Sequence, residues 1–252
     1  MVCSQDLLNA YVQRARLTEL PLGARPATPQ EGYQCQALFV ERLGRTIGYK
    51  IACTNAIAQR FLSMPEPFYG RLLAASTSDS PARLAAGDFF MRIIESEFAF
   101  QLTRDLPASA RPLDREQIAD ALAGVLPGIE IVDSRFASWT TVGAPSLIAD
   151  NACHGAWVKG ALVTDWRHLD LAAQAVELRV NGTVVQRGSG SAVLGHPLNA
   201  LEWLVHCLHA QGIGLKAGEY VTTGVTTDIY DAQAGDHLVA DFGPVGSVEL
   251  QF

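Results

Sequence analysis

The sequence predicts an α+β fold, and two observations support this prediction. After about residue 70, short strand-like runs follow one another between turns that contain Gly and Pro. Only two helical patterns interrupt them, one from Asp114 to about Val125 and one from Pro197 to Gly212. The alternation of strand and helix that builds a parallel sheet is absent, so a dinucleotide-binding fold is disfavoured.

Size and charge exclude several classes of protein. The chain has 252 residues, of which 48% are hydrophobic and 18% charged, enough for a large core with a small appendage. Its net charge is −7, and no run of Lys or Arg could follow a phosphate backbone, which argues against a nucleic-acid partner. The start of the chain lacks a basic segment followed by an apolar core, and no apolar stretch reaches about 18 residues, so we expect a cytoplasmic protein without a membrane partner.

Two helices are predicted near the start of the chain. Ser4 is a suitable N-cap for a helix that continues to about Arg16, and prolines then interrupt the pattern. The pair Thr28-Pro29 begins a second helix, which should end at Gly44, the residue type preferred just past a helix C-terminus.

A domain boundary is predicted near residue 70. A strand at about Thr46 to Ala52 and a short helix from Asn55 to Leu62 precede the segment Pro65 to Gly70, which can continue neither element for long. The prediction divides the chain into a small, mainly helical N-terminal region, residues 1–70, and a larger domain, residues 71–252.

The strongest local signal is a β-hairpin in the second half of the chain. Asn181-Gly182 supplies the positive φ angles of a type I′ turn between the strand-like runs 176–180 and 183–185. Further strands are predicted at Tyr220 to Gly224, His237 to Asp241 and Ser247 to Phe252.

Three glutamates lie in apolar, strand-like runs. Glu95 and Glu97 are one residue apart, so on a strand they project from the same face, and Glu130 opens a similar run. Neighbouring ionised carboxylates repel one another unless they face water or share a cation. The residues alone therefore leave two interpretations, a solvated strand face and a site for a hard divalent cation.

Other residues with metal-binding or phosphate-binding chemistry give no comparable pattern. The five cysteines are scattered without a Cys-x-x-Cys pair, and we interpret them as reduced thiols. His206 and His209 are interpreted as packing residues of a helix. The glycine-rich segment 187–196 lacks the Gly-Lys-Ser/Thr ending of a P-loop, so its glycines indicate tight turns or a loop that closes over a ligand.

Six ordered motifs between about residues 45 and 252 resemble one known family. They are Gly48 to Ile51, Glu95 to Phe100, Gly128 to Arg135, Ile148 to Ala152, Gly188 to Pro197 with Trp203, and Gly235-Asp236 followed by Phe242-Gly243. Together they resemble the 2-keto-4-pentenoate hydratase branch of the fumarylacetoacetate hydrolase superfamily. The resemblance implies a mixed β-sheet roll, a Mg²⁺ or Mn²⁺ site, and chemistry on 2-keto or 2-hydroxydienoic acids from aromatic-ring catabolism.

The resemblance also assigns roles to the metal-site residues. Glu95, Glu97 and Glu130 are the implied ligands, and an α-keto acid could fill two of the remaining positions of the cation. Lys50 stands where the family has a lysine. Because it lies in an apolar strand, Lys50 is a candidate acid/base whose pKa is lowered by desolvation. Without the resemblance, the sequence would favour a surface lysine.

Five further residues are candidates for contact with the substrate. Asp133 and Arg135 could touch it directly or form a structural ion pair that supports the third glutamate. Asp150 and Asn151 could instead cap a turn, and Thr226 could be an ordinary strand residue.

The chain departs from the family's usual pattern at two places. Related hydratases tend to carry an acidic residue soon after the Phe-x-Gly-x-Leu segment, which here is Phe68 to Leu72 followed by Leu73, Ala74, Ala75 and Ser76. Where the family usually continues Asp-Asn-Ala-Ser, this chain has Cys153 and His154 after Ala152. These departures could alter proton transfer or the preferred tail of the substrate.

Three functions are compatible with the sequence. The first is a metal-dependent hydratase that adds water to a 2-hydroxy-2,4-dienoate to give a 4-hydroxy-2-oxo acid. The second is a related activity, either decarboxylation of a 2-oxo-enedioate or hydrolysis of an acylpyruvate C–C bond, and the third is a non-catalytic partner subunit. The resemblance implies a homo-oligomer, and a decarboxylase of the same pathway is a candidate partner in a complex.

Overall fold

The computed structural model describes residues 2–109 and 111–252, which form helices and two β-sheets. The α-helices are α1 (Val2–Gln13), α2 (Pro29–Leu43), α3 (Ala56–Phe61), α4 (Arg115–Ala119), α5 (Ala144–Ala149) and α6 (Pro197–His209). The strands are β1 (Thr46–Ala52), β2 (Phe68–Leu73), β3 (Thr77–Asp79), β4 (Ala82–Arg83), β5 (Ile93–Leu102), β6 (Leu122–Val132), β7 (His154–Lys159), β8 (Ala175–Val180), β9 (Thr183–Ser189), β10 (Tyr220–Val225), β11 (Tyr230–Asp231), β12 (His237–Asp241) and β13 (Ser247–Gln251). The predicted α+β class is confirmed.

Both sheets are mixed. The larger follows the order β2-β1-β10-β5-β6-β7-β3, with β11 also paired to β5. In it β1 runs parallel to β10 and β3 parallel to β7, whereas the other neighbours are antiparallel. The smaller has the order β4-β13-β12-β8-β9. Hydrophobic residues of both sheets and of α6 share the main core, in which the Phe98 and Phe242 rings lie 5.0 Å apart.

The predicted hairpin and the second helix are confirmed. Asn181 and Gly182 have φ values of 51° and 84° between β8 and β9, the left-handed conformations that this turn requires. The Thr28 hydroxyl accepts from the Glu31 backbone N–H at the start of α2, and Gly44 caps its end with a φ of 123°. Ser4, the expected N-cap of the first helix, instead lies inside α1.

The interpretation of all five cysteines as reduced thiols is wrong for one pair. Cys3 of α1 and Cys35 of α2 form a disulfide, whereas Cys53, Cys153 and Cys207 are free. The two helices pack through a small apolar cluster of their own, which holds the paired residues with their Cα atoms 6.2 Å apart. Their separation of 32 positions gave no sign of this contact.

The predicted helix from Asp114 to Val125 is also wrong beyond its first turns. Asp114 and Gln117 form a capping box, but α4 ends at Ala119, and β6 begins at Leu122. Almost every residue of β6 is buried, because Val125, Ile129 and Ile131 of one face pack in the main core and Leu126 of the other face packs in a second apolar cluster. A strand buried on both faces is apolar throughout, and its sequence imitates the spacing of a buried helix.

The division of the chain at residue 70 remains a prediction. In the structure Gly70 lies within β2, and both β1 and β2 belong to the larger sheet. Among the described residues, no helix is both long and apolar enough to cross a membrane.

Candidate active site

Three glutamates meet on one side of the larger sheet. Glu95 of β5 lies directly opposite Glu130 of β6, and Glu97 lies two residues further along β5. One carboxylate oxygen from each lies within 4.8 Å of the others, and in the described residues this is the only such group of three metal-binding side chains. Glu97 and Glu130 are 0% exposed, so the alternative of a solvated strand face is excluded. We call these three residues the carboxylate site.

Lys50 reaches the carboxylate site because the sheet is curled. Its strand, β1, is three places from β6 in the sheet order, which in a flat sheet would separate them by roughly 14 Å. Lys50 Nζ nevertheless lies 3.2 Å from Glu130 Oε2, and it donates a hydrogen bond of 2.9 Å to the Ala152 carbonyl oxygen. The curvature thus brings the buried lysine across the concave side of the sheet.

The carboxylate site has more negative charge than the protein neutralises. Desolvation raises the pKa of Glu95 to about 7, of Glu97 to about 8 and of Glu130 to about 7, although the charge of Lys50 opposes each shift. Oε1 of Glu97 is buried without a hydrogen-bond donor, and Oε2 of Glu130 has only its ionic contact with Lys50. Converging carboxylates that protein donors leave incompletely satisfied fit a hard divalent cation, which prefers oxygen ligands.

The expected lowering of the Lys50 pKa is wrong in this protein without metal. Burial does disfavour its charged form, but the nearby carboxylates of Glu130, Glu95 and Glu97 outweigh that effect and raise its pKa. Lys50 is therefore an ammonium that partly neutralises the carboxylate site.

A backbone irregularity fixes the orientation of Glu97. The register of β10 against β5 shifts between Thr222 and Val225, and Gly224 in that shift has a φ of 98°. The Gly224 N–H donates to Glu97 Oε2 at 2.8 Å. A Cβ at this position would lie 2.0 Å from Thr54 Oγ1, so glycine is required both by its φ and by its surroundings.

His154 supports Glu130 from the side away from Lys50, a role that the sequence analysis did not assign. Its Nδ1 lies 3.0 Å from Glu130 Oε1, and its Nε2 lies 3.2 Å from Ser76 Oγ. Burial, with Lys50 and Arg135 nearby, lowers the His154 pKa to about 3, so the ring is neutral. A neutral ring satisfies both contacts when Nδ1–H donates to Glu130 and Nε2 accepts from Ser76.

The two departures from the family's usual pattern therefore lie together. Ser76 follows the segment that lacks the usual acid, and His154 stands in the altered Asp-Asn-Ala sequence. The only sequence signal for this role was a histidine, His154, within an apolar run; its contact with Glu130 is visible only in the fold.

Arg135 and Asp150 form a fully buried ion pair with each other. Asp150 accepts hydrogen bonds from the Arg135 side chain, from the Arg135 backbone N–H and from Ser134 Oγ. The remaining guanidinium nitrogens donate to the carbonyl oxygens of His154 at 3.0 Å and Asp150 at 2.6 Å. The pairing partner of Arg135 is thus Asp150, whereas Asp133 accepts from the Met91 backbone N–H at 2.9 Å.

Asn151 and Thr226 occupy different surroundings. The Asn151 side chain bonds both backbone groups of Arg71, accepting at 2.7 Å and donating at 3.0 Å, and so extends the pairing of β2. Thr226 Oγ1 donates to the Ser96 carbonyl oxygen at 2.6 Å, and Thr226 lines a cavity that Lys50 and Glu95 also line. Of the five candidates for substrate contact, Thr226 alone lines that cavity, while Asp133, Arg135, Asp150 and Asn151 do not.

A cavity of about 760 Å³ opens beside the carboxylate site. Lys50 and Glu95 line it, and most of the wall is apolar. Part of the wall comes from the glycine-rich segment: Arg187, Gly188 and Ser189 at the end of β9, and Ser191 and Ala192 after it. His206 lies elsewhere, with Nε2 2.8 Å from the Leu113 carbonyl oxygen.

The match to known proteins establishes the class of the chain. Residues 53–252 match the family described as fumarylacetoacetate (FAA) hydrolase, C-terminal. The chain belongs to the fumarylacetoacetate hydrolase family, which confirms the resemblance read from its motifs.

More specific similarities are to named hydratases. A 2-hydroxyhexa-2,4-dienoate hydratase from Comamonas testosteroni is 37% identical over 210 residues, which cover 82% of this chain and 78% of that protein. A 2-keto-4-pentenoate hydratase from Paraburkholderia xenovorans is 32% identical over 226 residues, covering 88% and 83%.

A solved structure with the same fold is the 4-oxalocrotonate decarboxylase from Pseudomonas putida G7 in complex with magnesium and adipate. It superposes with a TM-score of 0.92 at 24% identity and covers 100% of this chain and 96% of that one. This similarity confirms the fold.

Proposed function

We propose that this protein is a hydratase that depends on a divalent metal and adds water to a 2-hydroxy-2,4-dienoate to give a 4-hydroxy-2-oxo acid. The observation that carries the proposal is the carboxylate site, with Glu97 Oε1 buried without a donor, next to Lys50 and a largely apolar cavity that Lys50 and Glu95 line. The similarity to two named hydratases supports this reaction over others of the family.

Glu95, Glu97 and Glu130 are the proposed ligands of the cation. When bound, the cation supplies Lewis-acid stabilisation of negative charge on the oxygen at C2 of the substrate. Mg²⁺ and Mn²⁺ both suit three carboxylates, and solved relatives hold magnesium, calcium or manganese.

Lys50 is the proposed acid/base. Its Nζ holds a proton beside the carboxylate site, where the polar head of the substrate would lie. As the dienol becomes a ketone, its 2-hydroxyl group loses a proton and C5 gains one; one water then adds across C3 and C4, its hydroxide at C4 and its proton at C3. A buried ammonium can give and take back such a proton, and its charge attracts the substrate carboxylate meanwhile.

The remaining residues would keep the site in place. His154 holds one oxygen of Glu130, Gly224 holds one oxygen of Glu97, and Thr226 lies in the wall of the cavity. Apolar wall residues exclude bulk water, so that the reacting water is one positioned molecule. We further propose a homo-oligomer located in the cytoplasm, with a pathway decarboxylase as a candidate partner.

The test is product identification with metal-stripped and Mg²⁺-reloaded protein on a panel of 2-hydroxydienoates, 2-oxo-enedioates and acylpyruvates. Gain of one water that depends on metal supports the proposal. Loss of carbon dioxide, or cleavage of an acylpyruvate C–C bond, would replace hydration by one of the related activities. A folded protein that binds metal weakly and turns over none of these substrates would instead be a partner subunit.

A further inference from the structure

We propose that the cavity selects dienoates whose far end is an extended apolar group, alkyl or aryl, over those that end in hydrogen or in a second carboxylate. The inference rests on the proposed function for the head of the substrate. The evidence for the far end of the substrate is the size of the cavity and the apolar side chains that line it apart from Lys50 and Glu95.

The orientation of the substrate follows from the position of the charges. Lys50 and Glu95 both line the cavity; Glu95 belongs to the carboxylate site, and Lys50 contacts Glu130 of that site. An acid head with its oxygen at C2 belongs there, because only there does it meet an ammonium and the proposed cation. The carbon chain of the substrate must then extend along the rest of the cavity.

The size of the cavity exceeds what a short dienoate fills. Cavities of about 300–1,000 Å³ bury most of the surface of drug-sized ligands, and this one has about 760 Å³. A five-carbon acid is far smaller than such a ligand, so considerable space remains beyond its last carbon atom.

The walls around that space are apolar. They are formed by side chains from several elements, namely Phe68, Ile93, Val132, Trp139 and Leu147. An apolar group placed against them loses contact with water and gains packing contacts, whereas a polar group placed against these five side chains loses hydrogen bonds to water that they cannot replace.

The rim continues this apolar surface into solvent. Ile57 and Phe61 of α3 are 70% and 60% exposed, Ile229 is 49% exposed, and all three line the cavity. The Phe61 ring lies 6.2 Å from the Trp139 ring in an edge-to-face arrangement, which makes an aromatic side to the entrance. Exposed apolar residues that line a cavity mark a surface that an apolar ligand covers.

A second carboxylate finds no comparable partner in this region. The basic residues among those that line the cavity are Lys50 and Arg187. The Arg187 side chain is 70% exposed, and its Nε already donates to Glu177 Oε1 at 2.9 Å. Asp228, which also lines the cavity, would repel a carboxylate.

The experiment measures binding separately from turnover. Straight-chain 2-oxo acids of increasing length, and matched acids with a terminal carboxylate, are titrated into Mg²⁺-loaded protein by calorimetry. The corresponding 2-hydroxydienoates are assayed for hydration. We expect the affinity to rise about 4-fold for each added methylene until the space is filled, and the terminal carboxylate to weaken binding at least about 10-fold.

A variant locates the effect. Phe61→Ala removes an exposed side chain, so the fold should remain intact, and we expect the dependence on tail length to become flatter. Leu22→Ala, at another exposed apolar residue that lies outside the cavity, is the control and should leave that dependence unchanged.

Affinities that do not change with tail length, or that are highest for dicarboxylates, would overturn the inference even if short dienoates are hydrated. A rise with tail length in a protein that hydrates none of the dienoates would support the inference for binding and contradict the proposed reaction.

Discussion

Two groups of buried charges differ in how completely the protein satisfies them. Arg135 and Asp150 neutralise each other, and the hydrogen bonds of both are directed to protein groups. The carboxylate site combines three acids with one lysine, leaves Glu97 Oε1 without a donor, and gives Glu130 Oε2 only the contact with Lys50. The Arg135–Asp150 pair has the properties of a structural ion pair, whereas the carboxylate site has those of a site that binds a cation.

The largest expected effect comes from the carboxylate site. Glu97→Gln should lower hydration by about 10³-fold or more, because the proposed cation loses a ligand. The same change should leave the metal-free protein at least as stable as before, because it removes a repelling, desolvated carboxylate. Activity assays with melting curves in chelator check both parts.

Glu66→Gln is the control for this variant, since Glu66 is exposed and outside the cavity. A Glu97→Gln protein that is less stable but keeps its activity would show that Glu97 serves the fold and not the reaction.

A substitution in the Arg135–Asp150 ion pair should have the opposite effect: it should lower stability and leave metal affinity almost unchanged. Asp150→Asn leaves the Arg135 guanidinium buried without its counter-charge, and such a change costs about 3–5 kcal/mol of unfolding free energy. Metal affinity of the molecules that remain folded should change little. Urea unfolding measures the first quantity, with Asp88→Asn in the exposed Arg14 pair as the control.

A large loss of metal affinity in folded Asp150→Asn protein would show that the ion pair serves the site rather than the fold.

The pH dependence of the metal-free protein should report the raised pKa values of the carboxylate site. The folded-state pKa values of Glu95, Glu97 and Glu130 are raised from 4.5 to about 7, 8 and 7. The folded state thus keeps protons that the unfolded state releases, and this stability is present below about pH 4.5 and is lost as the pH rises through 7 to 8. Unfolding experiments in chelator across this range measure the decline.

Glu97→Gln should make that decline shallower, and Mg²⁺ should stabilise the wild type more at pH 8 than at pH 6. Equal stabilisation at both values would contradict the raised pKa values.

The smallest expected effect concerns His154. His154→Ala removes the group that holds Glu130 Oε1, and the loss of such a contact to a ligand typically weakens metal binding 10–100-fold. Calorimetry with the metal alone tests this, with His237→Ala as a surface control. His154→Gln, which keeps an N–H donor, should recover part of the affinity; equal loss in both variants would indicate only altered packing.

Much of this arrangement could be predicted from local sequence. Strand alternation predicts that Glu95 and Glu97 share a face, and the Asn181-Gly182 turn fixes a hairpin, because both depend on neighbouring residues alone. The motifs then identify the family, which no single pattern does.

The remainder depends on contacts between distant residues. The approach of Lys50 to Glu130 requires the curl of the sheet, and the same approach reverses the expected direction of the Lys50 pKa. The choice of Asp150 over Asp133 as the partner of Arg135 depends on the turn after α5. The contact of His154 with Glu130 likewise requires β7 beside β6.

The most direct test is calorimetric titration of Mn²⁺ into the metal-stripped protein near pH 7.5, for the wild type and for Glu97→Gln. We predict one site per chain in the wild type, with protons released on binding because the carboxyl pKa values are raised, and at least a 100-fold loss of affinity in the variant. Absence of binding in the wild type, or equal binding in both proteins, would contradict the assignment of Glu95, Glu97 and Glu130 as a metal site.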